Sequence, residues 1–123
     1  MKLRIQGNLL RFRLTQEEVA CLRDRGLVES AIRFSPDRAL SYSVASSPDA
    51  AEVSANYEGD AIRVVLPRAA ATAWTESSQV TVEGSRNSGI QILVEKDFQC
   101  LHKTSERDPD AYPHPLFRKR SAG

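Results

Sequence analysis

The stretch GNLLRFRLTQEEVACL, residues 7–22, aligns without a gap on GDAIRVVLPRAAATAW, residues 59–74. In both stretches a glycine turn is followed by an alternating strand, a helix start and an apolar helix residue. A repeat of this kind organises a whole fold, because one copy alone cannot bury its apolar faces. The sequence therefore predicts two copies of one unit, over residues 2–46 and 51–97.

Hydrophobic periodicity predicts the elements of each copy. The first copy is predicted to form strands over 2–6, 9–14, 27–34 and 40–45, and the second copy strands over 52–57, 61–66, 79–83 and 90–95. Thr15 and Glu18 have the spacing of a capping box at a helix start, and Pro67 suits the equivalent place in the second copy. The predicted fold class is mainly β with two short helices (α+β). A duplicated β-β-α-β-β unit is expected to form a small barrel-like pseudo-dimer.

Length and composition indicate one soluble domain. The chain has 123 residues, 41% hydrophobic and 27% charged, which suits a single modest core. Residues 1–102 are predicted to form that domain, and residues 103–123, which lack periodicity, a flexible or loosely docked tail. No apolar run approaches the roughly 18 residues of a membrane helix, so no membrane association is expected. Two cysteines, Cys21 and Cys100, make no disulfide framework, which favours reduced thiols and a cytoplasmic location.

Four cations are predicted to share one face of the first hairpin. A two-residue turn opposes Lys2 to Arg13 and Arg4 to Arg11. Like charges so placed destabilise a strand pair by some tenths of a kcal/mol unless an anion lies among them. The arrangement predicts binding of a nucleic-acid backbone or another polyanion, with Arg63 as the equivalent cation of the second copy.

An alternative is that the same cations are neutralised within the protein or solvated, and bind no ligand. Residues 1–46 carry a net charge of +3 and residues 47–98 a net charge of −4. The two halves can therefore attract each other, and Glu95 and Asp97 could neutralise Arg4 and Arg11. Glu17 and Glu29 are further carboxylates that could neutralise the hairpin. Solvation of the cations by water is the other alternative.

The second half, GDAIRVVLPRAAATAW followed by QVTVEG and IQILVEK, resembles the swapped-hairpin fold of AbrB and MazE-type transcription factors. In that family two chains interlock into one small barrel, and one face of the barrel grips DNA. The resemblance implies a single chain that carries both copies, with possible DNA binding. It implies Arg63 as the basic residue of the DNA-facing hairpin, whereas Ser54 and Asn56 stand where charge would be useful.

Over nearly its full length the chain is also similar to a family of short, uncharacterised bacterial proteins. Their pattern is MKLRIxGNxLRxRL at the start and VEKDFxCLH near the end, the latter here at residues 94–102. The resemblance implies membership of a family of unknown function and carries no activity with it.

One further candidate for a chemical site lies near the end of the chain. Cys100 and His102 are metal-ligand types, but their spacing is poor for structural zinc, so no metal and no cofactor are expected. Because no phosphate loop, nucleophile elbow or catalytic triad pattern occurs, the chain is predicted not to be an enzyme. The leading hypothesis is a non-enzymatic binding domain for nucleic acid or another polyanion. The alternative is an antitoxin-like or adaptor-like module that binds a protein partner through residues 103–123.

Overall fold

A computed structural model describes residues 1–84, 89–98 and 112 of the chain. Two helices and eight strands occur in these ranges. They are β1 (Lys2–Gln6), β2 (Leu9–Leu14), α1 (Gln16–Arg25), β3 (Leu27–Ser35), β4 (Arg38–Ser47), β5 (Ser54–Glu58), β6 (Ala61–Pro67), α2 (Arg68–Thr75), β7 (Thr81–Glu83) and β8 (Gln91–Lys96). The predicted class, mainly β with two short helices, is confirmed.

The strands form two four-stranded sheets. Sheet 1 has the order β1-β2-β8-β7, and sheet 2 has the order β3-β4-β6-β5. In each sheet a strand pair from one half of the chain lies beside a strand pair from the other half. The two middle strands run parallel, β2 beside β8 and β4 beside β6, whereas the outer pairings are antiparallel. Neither sheet can therefore form from one half of the chain alone.

The strands do not close into the predicted barrel. Within the described ranges, no ladder joins β1 or β7 of sheet 1 to an edge strand of sheet 2. One reason is the length of β7, whose three residues offer few backbone groups for a second ladder. The two sheets contact each other through side chains instead, since the rings of Phe12 and Tyr42 have centroids 6.4 Å apart.

The core draws on both sheets and both helices. Inward positions alternate along the central strands, and each helix adds one apolar face. The largest fully buried side chains are Trp74, Phe12, Leu14, Leu22, Leu66, Ile92, Val44, Val64 and Val94. The indole Nε1 of Trp74 donates to the Val80 carbonyl at 2.8 Å, so its polar group is satisfied in the interior.

Helix α1 begins at the predicted capping box. The Glu18 N–H donates to Thr15 Oγ1 at 3.3 Å, and the Thr15 N–H donates to Glu18 Oε1 at 2.9 Å. The N-terminal ammonium of Met1 forms an ion pair with the second oxygen of the same carboxylate. Gly26, with a φ of 76°, ends the helix in the left-handed region. Glu18 thus joins the helix start to the first residue of the chain.

The Glu18 carboxylate predicts an acid-sensitive part of the stability. Burial raises the pKa of Glu18, but hydrogen bonds from the N-terminal ammonium and from Thr15, with the ammonium charge, outweigh burial and hold that pKa below its usual range. A carboxyl group whose pKa is lower in the folded state stabilises the fold at pH values above its unfolded-state pKa. This stabilisation is lost as the pH falls through the folded-state pKa. We expect the urea midpoint to fall less between neutral pH and about pH 3 in Glu18→Gln than in the wild type.

Glu17→Gln is the matched control for this measurement. Glu17 is the exposed neighbour of Glu18 on the same helix. The Glu17→Gln variant should retain the acid sensitivity of the wild type. Identical acid sensitivity in the two variants would contradict the role of Glu18.

Candidate anion-binding face

The first hairpin presents four cations on one side of sheet 1. Its register opposes Lys2 to Arg13 and Arg4 to Arg11, as the sequence predicts. Side chains alternate along a strand, and Phe12, between the two arginines of β2, is buried. The four cations therefore lie on the outer side of sheet 1, and together they are called the basic face below.

Two carboxylates from the other half of the chain reach the basic face. Strand β8 runs parallel to β2 and places Glu95 opposite Arg13. Glu95 Oε1 lies 3.2 Å from Arg11 Nε and 3.5 Å from Arg13 Nε. Asp97 Oδ2 lies 3.0 Å from Lys2 Nζ. The alternative that Glu95 and Asp97 neutralise Arg4 and Arg11 is thus supported for Arg11 and wrong for Arg4, while the same two carboxylates also contact Arg13 and Lys2.

Arg4 is the cation that the carboxylates do not reach. Its side chain is exposed, and it makes no ion pair within the part of the chain that the structure describes. It lies directly opposite Arg11, which has to share Glu95 with Arg13. The basic face therefore combines an excess of positive charge with a pair of like charges in direct cross-strand register.

Arg11 also has a buried donor without an acceptor. Its Nε lies within ion-pair distance of Glu95, but the N–H makes no hydrogen bond to any described residue. On the β8 side its neighbour in register is the buried Leu93, so the charge is screened less than in water. A buried donor left unsatisfied costs about 1–3 kcal/mol, and the nearby Glu95 carboxylate offsets part of that cost here.

Arg63 is not part of the basic face. It lies on β6 of sheet 2, opposite Ser43 on β4 and Asn56 on β5, with its side chain exposed. The sequence groups it with the four hairpin cations, whereas the structure places it on the other sheet. The four cations of the basic face therefore lie on sheet 1, without Arg63.

The other predictions from the sequence concern a metal site, the C-terminal tail and the membrane. Cys100 and His102, and the tail at 103–123 apart from Tyr112, lie outside the described residues. In residues 1–84 and 89–98, no group of three or more acidic, histidine or cysteine side chains is placed to hold a metal ion. Neither described helix has the length and apolar character needed to span a membrane.

A family model matches residues 1–116 of the chain, and its description is a family of unknown function, DUF7009. The chain belongs to this family. No curated protein and no solved structure matches it. The DUF7009 match includes the motif at the start of the chain and the motif at residues 94–102, which confirms the predicted membership. It also extends into the segment that was predicted to be a tail.

The sequence did not reveal two features of the basic face. One is that a single carboxylate, Glu95, serves two arginines, and the other is that Leu93 lies beside Arg11. Both depend on the register of β2 against β8. Local periodicity carries no information on that register, because the two strands are far apart in the sequence. Covariation between the two strands is the signal that could have shown it.

Proposed function

We propose that the chain is a non-enzymatic binding domain whose basic face binds the phosphate backbone of a nucleic acid or another polyanion. The observation that carries the proposal is the Arg4–Arg11 pair, two like charges in direct register. Arg4 has no carboxylate partner among the described residues, and Arg11 shares Glu95 with Arg13. Phosphate oxygens accept hydrogen bonds from arginine in bidentate geometry and relieve such repulsion.

We further infer that the two halves of the chain form a pseudo-dimer of duplicated units, as in swapped-hairpin proteins. The strand orders β1-β2-β8-β7 and β5-β6-β4-β3 support this, because exchanging the two halves converts one order into the other. The positions equivalent to the basic face are Ser54, Asn56, Arg63 and Val65. The anion site is therefore one-sided. The thiol of Cys21, which is not in a disulfide, suits a cytoplasmic location.

Binding of this kind has a defined salt dependence. Each phosphate that a cation neutralises releases counterions, so affinity falls as salt rises. We expect fluorescence anisotropy to show salt-sensitive binding to a short duplex or a single-stranded oligonucleotide. In Arg4→Ala/Arg11→Ala the affinity should fall at low salt. The slope of log K against log salt should become shallower by about two.

Two further variants make this test specific. Arg25→Ala/Arg63→Ala removes the same charge from exposed arginines elsewhere and should change affinity much less. Glu95→Gln removes the carboxylate that competes for Arg11 and Arg13, so it should increase affinity. Partial unfolding would lower the affinity in every variant. It cannot explain a higher affinity in Glu95→Gln together with a lower affinity in Arg4→Ala/Arg11→Ala.

Equal losses in the two arginine pairs would contradict a localised site. Absence of binding at low salt would contradict the proposal altogether. The search would then move to a protein partner of residues 103–123, and truncation after His102 would be expected to abolish that interaction.

A further inference from the structure

The longest edge of sheet 2 is exposed and partly apolar. Strand β3 has nine residues, and among the described strands it pairs only with β4. Ile32 is 50% exposed and Phe34 is 71% exposed. Edge strands of this length normally carry a device that prevents further pairing, such as a proline, a clustered charge or a cover. β3 has a bulge at its end, between Arg33 and Ser35, and two exposed charges, Glu29 and Arg33.

The backbone groups that point outward from β3 can be assigned. The Ser46 N–H donates to the Gly26 carbonyl at 2.9 Å, which makes this pair a hydrogen-bonded one. Hydrogen-bonded pairs alternate along an antiparallel ladder, so the peptide groups of Glu29, Ala31 and Arg33 point away from β4. In agreement, the Leu27 carbonyl accepts from Cys21 Sγ at 3.4 Å, on the side away from β4. No described residue pairs with these outward groups, so within the described part of the chain the edge is open from residue 29 to residue 33.

We propose that two copies of this chain associate through their β3 strands, antiparallel and centred on Ala31. In this register Glu29 of each copy lies opposite Arg33 of the other, so the interface contains two opposite-charge pairs. Both residues are exposed and lie on the same side of the strand as Ala31. Three hydrogen-bonded pairs of residues would exchange about six backbone hydrogen bonds. Sheet 2 would become one continuous eight-stranded sheet.

The apolar side chains fit the same register. On the inner side Ile32 lies opposite Ser30 of the second copy and diagonal to its Ile32, within reach of a side-chain contact. Arg33 already donates from Nη1 to the Pro36 carbonyl at 3.2 Å, which holds its side chain near the end of the edge. The bulge beyond Arg33 ends the ladder at that point. The interface therefore has a defined length as well as a defined register.

The other edges do not fit a second copy in this way. The charged residues of β1 are Lys2 and Arg4, so self-pairing would add repulsion. Strand β7 has three residues, which is too short for a ladder of this length. Strand β5 has a single charge, Glu58, so two copies of it would form no opposite-charge pair. A shift of β3 by one residue pair would also separate Glu29 from Arg33 of the second copy, so charge selects the register centred on Ala31.

Sedimentation equilibrium of the full chain tests the proposal. We expect a concentration-dependent dimer, twice the 13.6 kDa of one chain. Glu29→Arg and Arg33→Glu should each raise the dissociation constant about tenfold or more, because both charge pairs become repulsive. An equimolar mixture of these two variants should restore the dimer, since each reversed charge then meets an opposite charge.

Two more variants test whether the dimer depends on the backbone of β3 and on charges at this edge alone. Ala31→Pro removes an outward N–H while leaving the ladder to β4 in place, so it should give a folded monomer. Glu58→Arg, a charge reversal on the edge strand β5, should leave the dimer unchanged. Far-ultraviolet circular dichroism checks the fold of each variant. A wild type that stays monomeric up to about 1 mM, or a dimer that survives both reversals, would overturn the proposal.

Discussion

Replacing Trp74 by alanine is expected to lower the free energy of unfolding by about 3–5 kcal/mol. The indole is completely buried and belongs to the single core formed by both sheets and both helices. Its removal leaves a cavity, deprives the Val80 carbonyl of its donor and takes away the ring beneath Lys96 Nζ, 5.6 Å from the ring centroid. Urea unfolding should be followed by circular dichroism, because Trp74 is the only tryptophan of the chain.

Trp74→Phe separates packing from hydrogen bonding. It keeps most of the ring but loses the Nε1 donor, so the expected loss is about 1–3 kcal/mol. A loss in the alanine variant no larger than that in the phenylalanine variant would show that the indole does not fill the core.

Phe12→Ala should have a loss of similar size, about 3–5 kcal/mol. Phe12 is completely buried in the centre of β2, where its ring faces Tyr42 across the two sheets. Phe34→Ala is the matched control, because it makes the same chemical change at a side chain that is 71% exposed. The expected effect there is within about 0.5 kcal/mol. Urea midpoints of the two variants measure the difference, and similar midpoints would contradict the assignment of Phe12 to the core.

Local features of the fold were predictable from the sequence. The capping box at Thr15 and Glu18 and the glycine turns at Gly7 and Gly59 depend only on neighbouring residues. Strand alternation likewise identified which side of β2 carries Arg11 and which side carries Phe12. These predictions succeeded because the periods of side-chain orientation are properties of the backbone itself.

Non-local features were not predictable in the same way. The choice between a closed barrel and two separate sheets depends on which edges meet, and the short β7 leaves sheet 1 open at that end. The partners of the basic face depend on the parallel register that brings Glu95 beside Arg13. The exposure of Ile32 and Phe34 was equally hidden, because an alternating apolar pattern looks the same whether or not another element covers it.

The interlocking of the two halves has a consequence during synthesis. On the ribosome, β4 emerges well before its neighbour β6, and β2 waits until β8, at Gln91–Lys96, has been translated. Sheet 2 can be completed before sheet 1, so the basic hairpin leaves the exit tunnel before its two carboxylates are translated. Contacts of such long sequence separation slow folding. A nascent chain of this protein therefore carries its basic hairpin without these two carboxylates until β8 has been translated.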